Sequence, residues 1–402
     1  MPNQFLSPEG DLENYFVTEY WLIDQYVGDA LWTWGSGTNG QLGNAATTGN
    51  ISTPVTTFAG GTNWKQVSSF GNNAAAIKTD GTLWTWGRGI FGALGNAVTT
   101  NTSTPVTTFA GGTNWKQVSG GVSYTAAIKT DGTLWTWGSG TSGQLGNAVT
   151  TGDISTPVTT FSGGTNWKQV SGGFLHTAAI KTDGTLWTWG RGTSGQLGNA
   201  QIIDISTPVT TFAGGTNWKQ VSCGGSGATN HTTAIKTDGT VWTWGSGSNG
   251  RLGNAVTTGN ISTPVTTFAG GTNWKQVSSG GSHTAAIKTD GTLWTWGSGT
   301  SGQLGNAATT GNISTPVTTF SGGTNWKQVS CGDSHTAAIK TDGTVWTWGS
   351  GSNGRLGNTV TTGNISTPVT TFAGGTNWKQ VISSSSFTAA VQAGTSADLP
   401  FS

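Results

Sequence analysis

The chain has 402 residues and a net charge of +1, and charged residues make up only 8% of it, against roughly 25% in a typical soluble domain. Gly (67) and Trp (22) are used heavily, and so many aromatic residues argue against a disordered chain. No apolar run approaches the roughly 20 residues of a membrane-spanning helix, and the first residues do not resemble a secretory signal. The composition therefore predicts a folded, turn-rich, all-β protein without a membrane span.

Residues 1–30 carry six acidic residues and no Lys or Arg. Ser7-Pro8-Glu9 is typical of a helix start, and apolar residues follow at rough helical spacing. The segment therefore predicts a short helix, which is either a cap packed on the rest of the chain or a docking element for a partner. The side chains expected to dock are Leu12, Tyr15, Phe16, Tyr20, Trp21 and Ile23.

Residues 31–393 contain one unit repeated seven times, and residues 394–402 form a short tail. The period is 51–52 residues, lengthened once to 55 between Trp187 and Trp242. Trp-Thr-Trp and Asn-Trp-Lys-Gln-Val each occur seven times and supply 21 of the 22 Trp. A period near 50 is typical of propeller blades and solenoid units.

Each unit predicts four strands, which in one copy are residues 274–278, 283–288, 293–297 and 316–320. Asp290-Gly291 predicts the tight turn between the second and third strands. Because side chains at i and i+2 share a strand face, both Trp of each Trp-Thr-Trp are expected to point into the neighbouring blade. The Trp array is therefore interpreted as blade packing rather than as a stacking surface for sugars or bases.

The chain enters the repeat on the third strand and leaves it after the second. Residues 376–393 and 31–58 would together complete one blade, which closes a ring and removes free strand edges. An open solenoid would leave both half-blades unpaired. The predicted fold is therefore an all-β, seven-bladed β-propeller of four-stranded antiparallel blades, closed by a blade shared between the N- and C-terminal strands.

The repeat also resembles that of the regulator of chromosome condensation family. The matching residues in one copy are Gly291-Thr-Leu-Trp-Thr-Trp-Gly297, Gly302-Gln-Leu-Gly305, Pro316-Val317, Val329-Ser-Cys-Gly332, His335-Thr336 and Asp342-Gly343. The resemblance implies the same seven-bladed propeller with a shared closing blade. It leaves the function open, because members include a nucleotide-exchange factor for a small GTPase, an enzyme inhibitor and many interaction modules.

No residue constellation indicates catalysis, a metal or a cofactor. Four histidines share one repeat position, where other blades have Asn, Tyr or Phe; because Phe cannot bind a metal, we expect a structural role. These are His176, His231, His283 and His335. The acids recur in Asp-Gly turns, which turn chemistry explains. Cys223 and Cys331 share a position two repeats apart and are expected to be small buried thiols.

Two loop classes vary between copies, and in an up-down blade they open on the same face. One joins the first and second strands, and the other follows the third strand. Loops on a rigid scaffold are common recognition sites, although neutral drift in tolerant loops is an equal alternative. The candidate recognition residues are Phe91, Tyr124, Phe174, Leu175, Ser226, Thr229, Arg88, Arg191, Arg251 and Arg355.

The opposite face is uniform and carries two sets of lysines, so the acidic N-terminal segment could complement it within the molecule or on a neighbour. Nucleic-acid binding is weakly supported, because the charge density is low and the Trp residues are expected to be buried.

The sequence favours a non-enzymatic recognition or structural module with protein partners, and a homo-oligomer or larger assembly is compatible with it. The near-identical repeats and distinct N-terminal segment suggest a bacteriophage virion component, in contact with virion neighbours or a host-surface receptor. Such a protein would be assembled in the cytoplasm without a signal peptide; otherwise a cytoplasmic protein is expected. The alternative is a guanine nucleotide-exchange factor or another protein-binding regulator.

Overall fold

The computed structural model describes residues 28–394, except 59–60, 150–151, 162–163, 309–310 and 321. The predicted docking side chains from Leu12 to Ile23 lie outside the described residues, so their role stays a prediction. The helical segments that are described are three-residue turns, at Ile90–Gly92, Ser248–Gly250 and Ser352–Gly354. None of them has the length or the apolar character that a bilayer crossing requires.

Strands dominate the described residues and form seven four-stranded antiparallel sheets, which are the blades. The chain begins with β1 (Ala30–Ser36) and β2 (Asn50–Thr56). Blade 1 contains β3 (Trp64–Phe70), β4 (Asn73–Lys78), β5 (Leu83–Gly87) and β6 (Thr102–Thr107). Blade 2 contains β7 (Trp115–Gly120), β8 (Tyr124–Lys129), β9 (Leu134–Ser139) and β10 (Asp153–Thr159). Blade 3 contains β11 (Trp167–Gly172), β12 (His176–Lys181), β13 (Leu186–Gly190) and β14 (Ile205–Thr210).

The remaining blades follow the same order along the chain. Blade 4 contains β15 (Trp218–Ser226), β16 (Thr229–Lys236), β17 (Val241–Ser246) and β18 (Asn260–Thr266). Blade 5 contains β19 (Trp274–Ser279), β20 (His283–Lys288), β21 (Leu293–Ser298) and β22 (Asn312–Thr318). Blade 6 contains β23 (Trp326–Cys331), β24 (His335–Lys340), β25 (Val345–Ser350) and β26 (Asn364–Thr370). Blade 7 is completed by β27 (Trp378–Ser383) and β28 (Phe387–Gln392).

Blade 7 is built from both ends of the ring, in the order β2-β1-β28-β27. The antiparallel pairing of β1 with β28 runs without interruption from Ala30 opposite Gln392 to Gly35 opposite Phe387. The predicted seven-bladed propeller with a shared closing blade is therefore confirmed.

The fourth strand of each blade lies earlier than the sequence predicted. In blade 5 it runs over Asn312–Thr318 instead of residues 316–320, because Asn312 pairs with Ser298 and Ile313 with Gly297. The register then shifts before Val317 pairs with Thr295, and this irregularity leaves Pro316 without a ladder partner. An outermost strand tolerates such a proline, since its N–H is not needed. Phe320 lies beyond the strand and is exposed.

The two Trp of each Trp-Thr-Trp were predicted to point into the neighbouring blade, and the structure packs them there together with the third Trp of the unit. In blade 1 the ring of Trp64 meets Trp84 and Trp86 edge-on, at centroid distances of 6.3 and 6.2 Å. Trp64 and Trp86 are fully buried in a cluster that includes Leu42 and Val391 of blade 7. The Trp86 indole N–H donates to the carbonyl of Gln41, also from blade 7.

In blades 1 to 6 the Asp-Gly turn supplies the acceptor for the half-buried first Trp of Trp-Thr-Trp. Asp80 Oδ1 accepts from both the backbone N–H and the hydroxyl of Thr82, at 2.9 and 2.7 Å. Thr82 Oγ1 in turn accepts from the indole N–H of Trp84 at 2.9 Å. Gly81 has φ +81°, and a Cβ there would meet the Thr113 carbonyl, so this position requires glycine.

A ring of glutamine clasps joins the innermost strands around the axis. The side-chain amide of Gln66 donates to the Val118 carbonyl and accepts from the Val118 N–H, both at 3.2 Å. The bidentate bond recurs at every blade boundary, through Gln66, Gln117, Gln169, Gln220, Gln276, Gln328 and Gln380. The last of them closes the ring by bonding Val67 of blade 1.

The four histidines also join blades. His176 Nε2 lies 2.9 Å from Thr232 Oγ1 of the next blade, and that hydroxyl donates its single hydrogen to the Gln196 carbonyl. The imidazole must therefore donate from Nε2, and because burial keeps the ring neutral, its Nδ1 is unprotonated. Burial lowers the pKa of His176 and His283 to about 3. Cys223 and Cys331 are free, buried thiols, as expected.

Candidate recognition face

The structure places the two variable loop classes on one end of the propeller, called here the varied face. The backbone N–H of Arg191, after the third strand of blade 3, donates to the carbonyl of Leu175, in the loop between its first two strands. At the opposite end, called the uniform face, the Trp115 N–H donates to the carbonyl of Gly81 in an Asp-Gly turn. The loops that vary between blades thus lie at one end of the propeller, and the near-constant turns lie at the other end.

The largest departure from the repeat on the varied face is the extended hairpin of β15 and β16. Its tip, residues 226–229, is exposed at Ser226 and half-buried at Thr229. Gly227 makes the turn with φ +59°, and the Thr229 hydroxyl donates to the Ser226 carbonyl at 2.9 Å. The inserted residues therefore continue the sheet above the neighbouring blades.

Blade 3 braces this hairpin through its own variable loop. Arg191 Nη1 donates to the Gly227 carbonyl at 3.3 Å, while its Nε donates to Thr193 Oγ1 at 3.0 Å. The hydroxyl of Ser194 donates to the Ala228 carbonyl at 2.9 Å. The bonds to both carbonyls cross the blade boundary, so the hairpin tip is held from one side by residues of a different repeat.

Arg251 holds the hairpin from the other side and is not a surface residue. Its Nη1 donates to the carbonyls of Thr229 and Gly281, at 3.0 and 2.9 Å, and its Nε donates to the Ser248 carbonyl at 2.8 Å. The side chain is 1% exposed, and this burial lowers the pKa of Arg251 to about 10. The guanidinium positions loops of blades 4 and 5 instead of meeting a partner.

Arg355 repeats this arrangement in blade 6, where it bonds the carbonyls of Ser352 and Ser385 and is also buried. The prediction that Arg251 and Arg355 line a contact surface is therefore wrong. Four other blades have Gln at this position, for example Gln196, and blade 1 has Ala93. An Arg there is long enough to reach the first loop of the next blade.

Tyr124 is also withdrawn from the contact surface, because it is fully buried. It occupies the repeat position of the histidines, and its hydroxyl donates to the His176 carbonyl at 2.6 Å. The same oxygen accepts from the Gly173 N–H and the Thr177 hydroxyl. Burial raises the pKa of the Tyr124 phenol. Its role is to join blades 2 and 3.

The remaining candidates fall into two places. Phe174 and Leu175 are half-buried in blade 3, where the Leu175 carbonyl accepts from the backbone N–H of Arg191, whose side chain bonds the hairpin tip. Arg88 and Phe91 lie in blade 1, separated from them by blade 2. Phe91 is 39% exposed and has φ +66°, a left-handed conformation that is rare for a bulky side chain.

Two isoleucines complete the blade 3 surface but were not among the predicted site residues. Ile202 and Ile203 are 63% and 56% exposed. Asp204 positions their loop, because its Oδ1 accepts from the Gly192 N–H at 2.9 Å. The signal was present in the sequence, since this loop has Ile-Ile where every other copy has Thr-Thr. We call Phe174, Leu175, Arg191, Ile202, Ile203 and residues 226–229 the blade 3–4 patch.

The patch offers apolar contacts, backbone polar groups and one guanidinium, and it contains no arrangement suited to covalent chemistry. Among the residues that the structure describes, no three His, Cys, Asp or Glu side chains are grouped closely enough to hold a metal ion.

Comparison with known proteins identifies the repeat. The profile of the regulator of chromosome condensation (RCC1) repeat matches seven consecutive segments, 29–77, 80–128, 131–180, 183–235, 238–287, 290–339 and 342–391. The chain is 31% identical to the ultraviolet-B receptor UVR8 of Arabidopsis thaliana over 333 residues, which cover 82% of this chain and 75% of the receptor. It is 31% identical to human E3 ubiquitin-protein ligase HERC2 over 252 residues, which are 61% of this chain but only 5% of the ligase.

Solved structures show the same fold at lower identity. Human WBSCR16 superposes with a TM-score of 0.80 at 19% identity, covering 91% of this chain and 99% of that one. Yeast RCC1 (Prp20), solved bound to Kap60, gives 0.78 at 17% identity, covering 99% and 95%. Seven consecutive repeat matches and one shared architecture lead to a single conclusion: this chain belongs to the RCC1 repeat family.

Proposed function

We propose that this propeller is a non-enzymatic protein-recognition module that binds its partner through the blade 3–4 patch. The observation that carries the proposal is the bracing of the hairpin tip by Arg191, Ser194 and Arg251, which come from both sides of it. A contact surface held in one conformation before binding loses little conformational entropy on binding. Exposed Ile202 and Ile203 lie in the loop that Asp204 ties to Gly192, next to Arg191, and they supply the apolar anchor that protein interfaces favour.

Family relatives support a protein partner. Yeast RCC1 was solved in a complex with Kap60, and Prp20p has been characterised for binding to Gsp1p and histones. Those partners belong to those proteins. For this chain, the relatives and the mixed apolar and polar surface of the patch support a protein as the binding partner.

The test compares two variants of the full chain as bait for binding proteins from the source cells. The patch variant carries Phe174→Ser, Leu175→Ser and Ile202→Ser. The control carries Val98→Ser and Val149→Ser, which are exposed on the varied face of blades 1 and 2. We expect a partner that both wild type and control retain and that the patch variant loses at least about tenfold, measured again with the purified partner. Equal retention by the patch variant would rule out the blade 3–4 patch.

A finer form of the proposal makes the protein a bacteriophage virion component, as a tail or capsid appendage that is assembled in the cytoplasm. Its support is the near-identity of the repeats, the low charge, and the acidic segment at residues 1–30 that could dock on a virion neighbour. Immunogold electron microscopy of purified virions tests it: label at one defined position is expected, and unlabelled virions refute this form while leaving the recognition module untouched.

The second candidate is a regulator of a small GTPase, favoured by the relationship to yeast Prp20p, whose binding to Gsp1p has been studied. The measurement is release of a fluorescent guanine nucleotide from small GTPases of the source cell in the presence of the full chain. Accelerated release that the patch variant lacks would establish this activity, whereas unchanged release from all of them would discard it.

A further inference from the structure

Seven phenylalanines are exposed at one repeat position, which reverses the usual burial of this residue. Each follows a buried Thr at the end of the outermost strand and is 68–71% exposed. We call them the phenylalanine ring: Phe58, Phe109, Phe161, Phe212, Phe268, Phe320 and Phe372. One exposed apolar side chain is ordinary. The same exposure in all seven blades makes the phenylalanines a repeated feature of the protein surface.

The backbone fixes this ring in one plane. Phe58 donates its N–H to the Gly43 carbonyl at 2.7 Å, and the other six make the same bond at 2.7–2.8 Å. Each phenylalanine therefore has the same position within its blade. Since the blades are related by rotation about the propeller axis, seven equivalent positions lie on one circle perpendicular to that axis.

The same end of the propeller carries all 13 lysines of the chain. Seven are exposed at the second residue of the innermost strands and are called the inner lysines: Lys65, Lys116, Lys168, Lys219, Lys275, Lys327 and Lys379. Six end the second strands, and their Nζ atoms lie 4.1–4.9 Å above the Trp rings: Lys78, Lys129, Lys181, Lys236, Lys288 and Lys340. The uniform face is thus strongly cationic.

Carboxylates on this face are fewer. Among residues 28–394 the Asp-Gly turns contribute six to this face and Asp29 contributes a seventh, so 13 lysines stand against seven acids in that part of the chain. Asp29 is paired with Lys379, with both oxygens within 2.7 Å of Nζ. That pair shows that an inner lysine can take an anionic oxygen from outside its strand.

We propose that the uniform face binds the surface of an anionic lipid bilayer, with the phenylalanine ring at the boundary between headgroups and acyl chains. Clustered lysines are attracted to anionic headgroups, and exposed aromatic rings enter the interface beneath them. A planar circle of seven equivalent anchors fits a flat, extended partner, because every anchor then makes the same contact at once.

The radial order of the residues favours lipid over a nucleic-acid strand. The phenylalanines follow the outermost strands, whereas the lysines lie on the innermost and second strands. A strand wrapped around the rim would need cations beside each aromatic ring to bind its phosphates. A bilayer covers all radii of the face at the same time, so charge near the axis and aromatic rings at the rim act together.

The test is co-sedimentation of the full chain with phosphatidylcholine vesicles, with and without phosphatidylserine. Three variants are compared with wild type. The ring variant has Ser at all seven phenylalanine positions, and the lysine variant has Gln at the six inner lysines other than Lys379, none of which lies over a Trp pair. The control is Ile202→Ser with Ile203→Ser, which removes exposed apolar side chains from the opposite face.

We expect wild type and control to bind the anionic vesicles at least about tenfold better than the neutral ones, with binding that weakens as salt is raised. The ring and lysine variants should each lose at least about tenfold of that binding. Equal binding to both vesicle types overturns the proposal, and so does full binding by the ring variant. Binding to a single-stranded oligonucleotide, or to a synthetic peptide of residues 1–27, without binding to vesicles also overturns it.

A single-site measurement guards against misfolding of the ring variant. A spin label is attached at Phe268→Cys and, separately, at Ile202→Cys; the native Cys223 and Cys331 are buried and should not react. With anionic vesicles, the label at position 268 should become accessible to oxygen and shielded from a water-soluble relaxant, while the label at 202 should not change. Unchanged accessibility at position 268 contradicts the proposed insertion.

Discussion

The side-chain amide of Gln380 bonds both backbone polar groups of Val67: its Nε2 donates to the carbonyl at 3.0 Å, and its Oε1 accepts from the N–H at 2.9 Å. This contact joins the last blade to the first. Gln380→Ala should lower the free energy of unfolding by about 1–3 kcal/mol, because it leaves two partly buried groups without partners.

Urea denaturation measures this loss. Gln201→Ala is the matched control, since it truncates an exposed loop glutamine. Gln169→Ala breaks the same clasp between blades 3 and 4 and should cost a similar amount. No loss at position 380 alongside a clear loss at 169 would show that the closing contact does not hold the ring.

Ala30→Thr should stabilise the protein. The Trp32 indole N–H is buried and has no acceptor among the described residues, whereas Trp84 has Thr82 two residues before it. Blade 7 has Ala30 at that place. The new hydroxyl should raise the free energy of unfolding by about 0.5–1.5 kcal/mol.

The reverse change in blade 1, Thr82→Ala, removes the acceptor of Trp84 and should lower stability in the same assay. If Ala30→Thr is neutral or destabilising while Thr82→Ala costs stability, the indole of Trp32 is satisfied in another way.

Stability should fall steeply as the pH drops below about 6.5. The folded chain keeps its four histidines neutral, and burial lowers the pKa of His176 and His283 to about 3. The unfolded chain protonates them near pH 6.5, so between pH 6.5 and 3 it binds protons that the folded chain does not. Each histidine then costs about 1.4 kcal/mol per pH unit once the pH is well below 6.5. The Asp333 carboxyl offsets the loss from one histidine. Burial raises its pKa to about 6, so the folded chain takes up a proton there before the unfolded chain does as the pH falls.

Measuring the free energy of unfolding at pH 7 and at pH 5 tests whether stability falls as the pH is lowered. His283→Phe, which copies Phe387 at the same repeat position, should reduce the pH dependence by the share of one histidine. An unchanged difference between the two pH values in this variant would contradict the assignment.

Arg251→Gln should loosen the hairpin tip without unfolding the ring, because Gln occupies this position in blade 3. It removes the bonds to the carbonyls of Thr229 and Gly281. Amides of residues 225–230 should exchange hydrogen at least about tenfold faster, while those near Trp218 keep their rates. Arg88→Gln in blade 1 is the control, and equal protection in both variants would argue against the bracing role.

The architecture could be predicted from the sequence because local sequence patterns that recur in every repeat determine it. The spacing of the Trp pairs sets the number of blades, and the offset between Leu31 and Gln392 predicts the shared blade. These features depend on strand period and chain order, both of which are visible without knowledge of contacts.

The site was only partly predictable, because variation between repeats does not by itself show that a residue is exposed. Tyr124 differs from the histidines at its position, yet it is buried and bonds the next blade through its hydroxyl. Arg251 differs from Gln and reaches a loop 30 residues ahead. Contacts between blades cannot be recognised from a local sequence pattern. Variation between repeats therefore occurs at residues buried between blades as well as at residues on the surface.

The pairing of Ala30 with Gln392 has a mechanical consequence. The chain enters and leaves the ring side by side, at the end that carries the lysines. Tension applied between the two flanks acts on this outermost rung first and then on the next, like a zipper, so the bonds between β1 and β28 carry the load one after another. Pulling should therefore open the ring first at the pairing of β1 with β28. Heat or denaturant must instead disrupt many of the glutamine clasps at the same time.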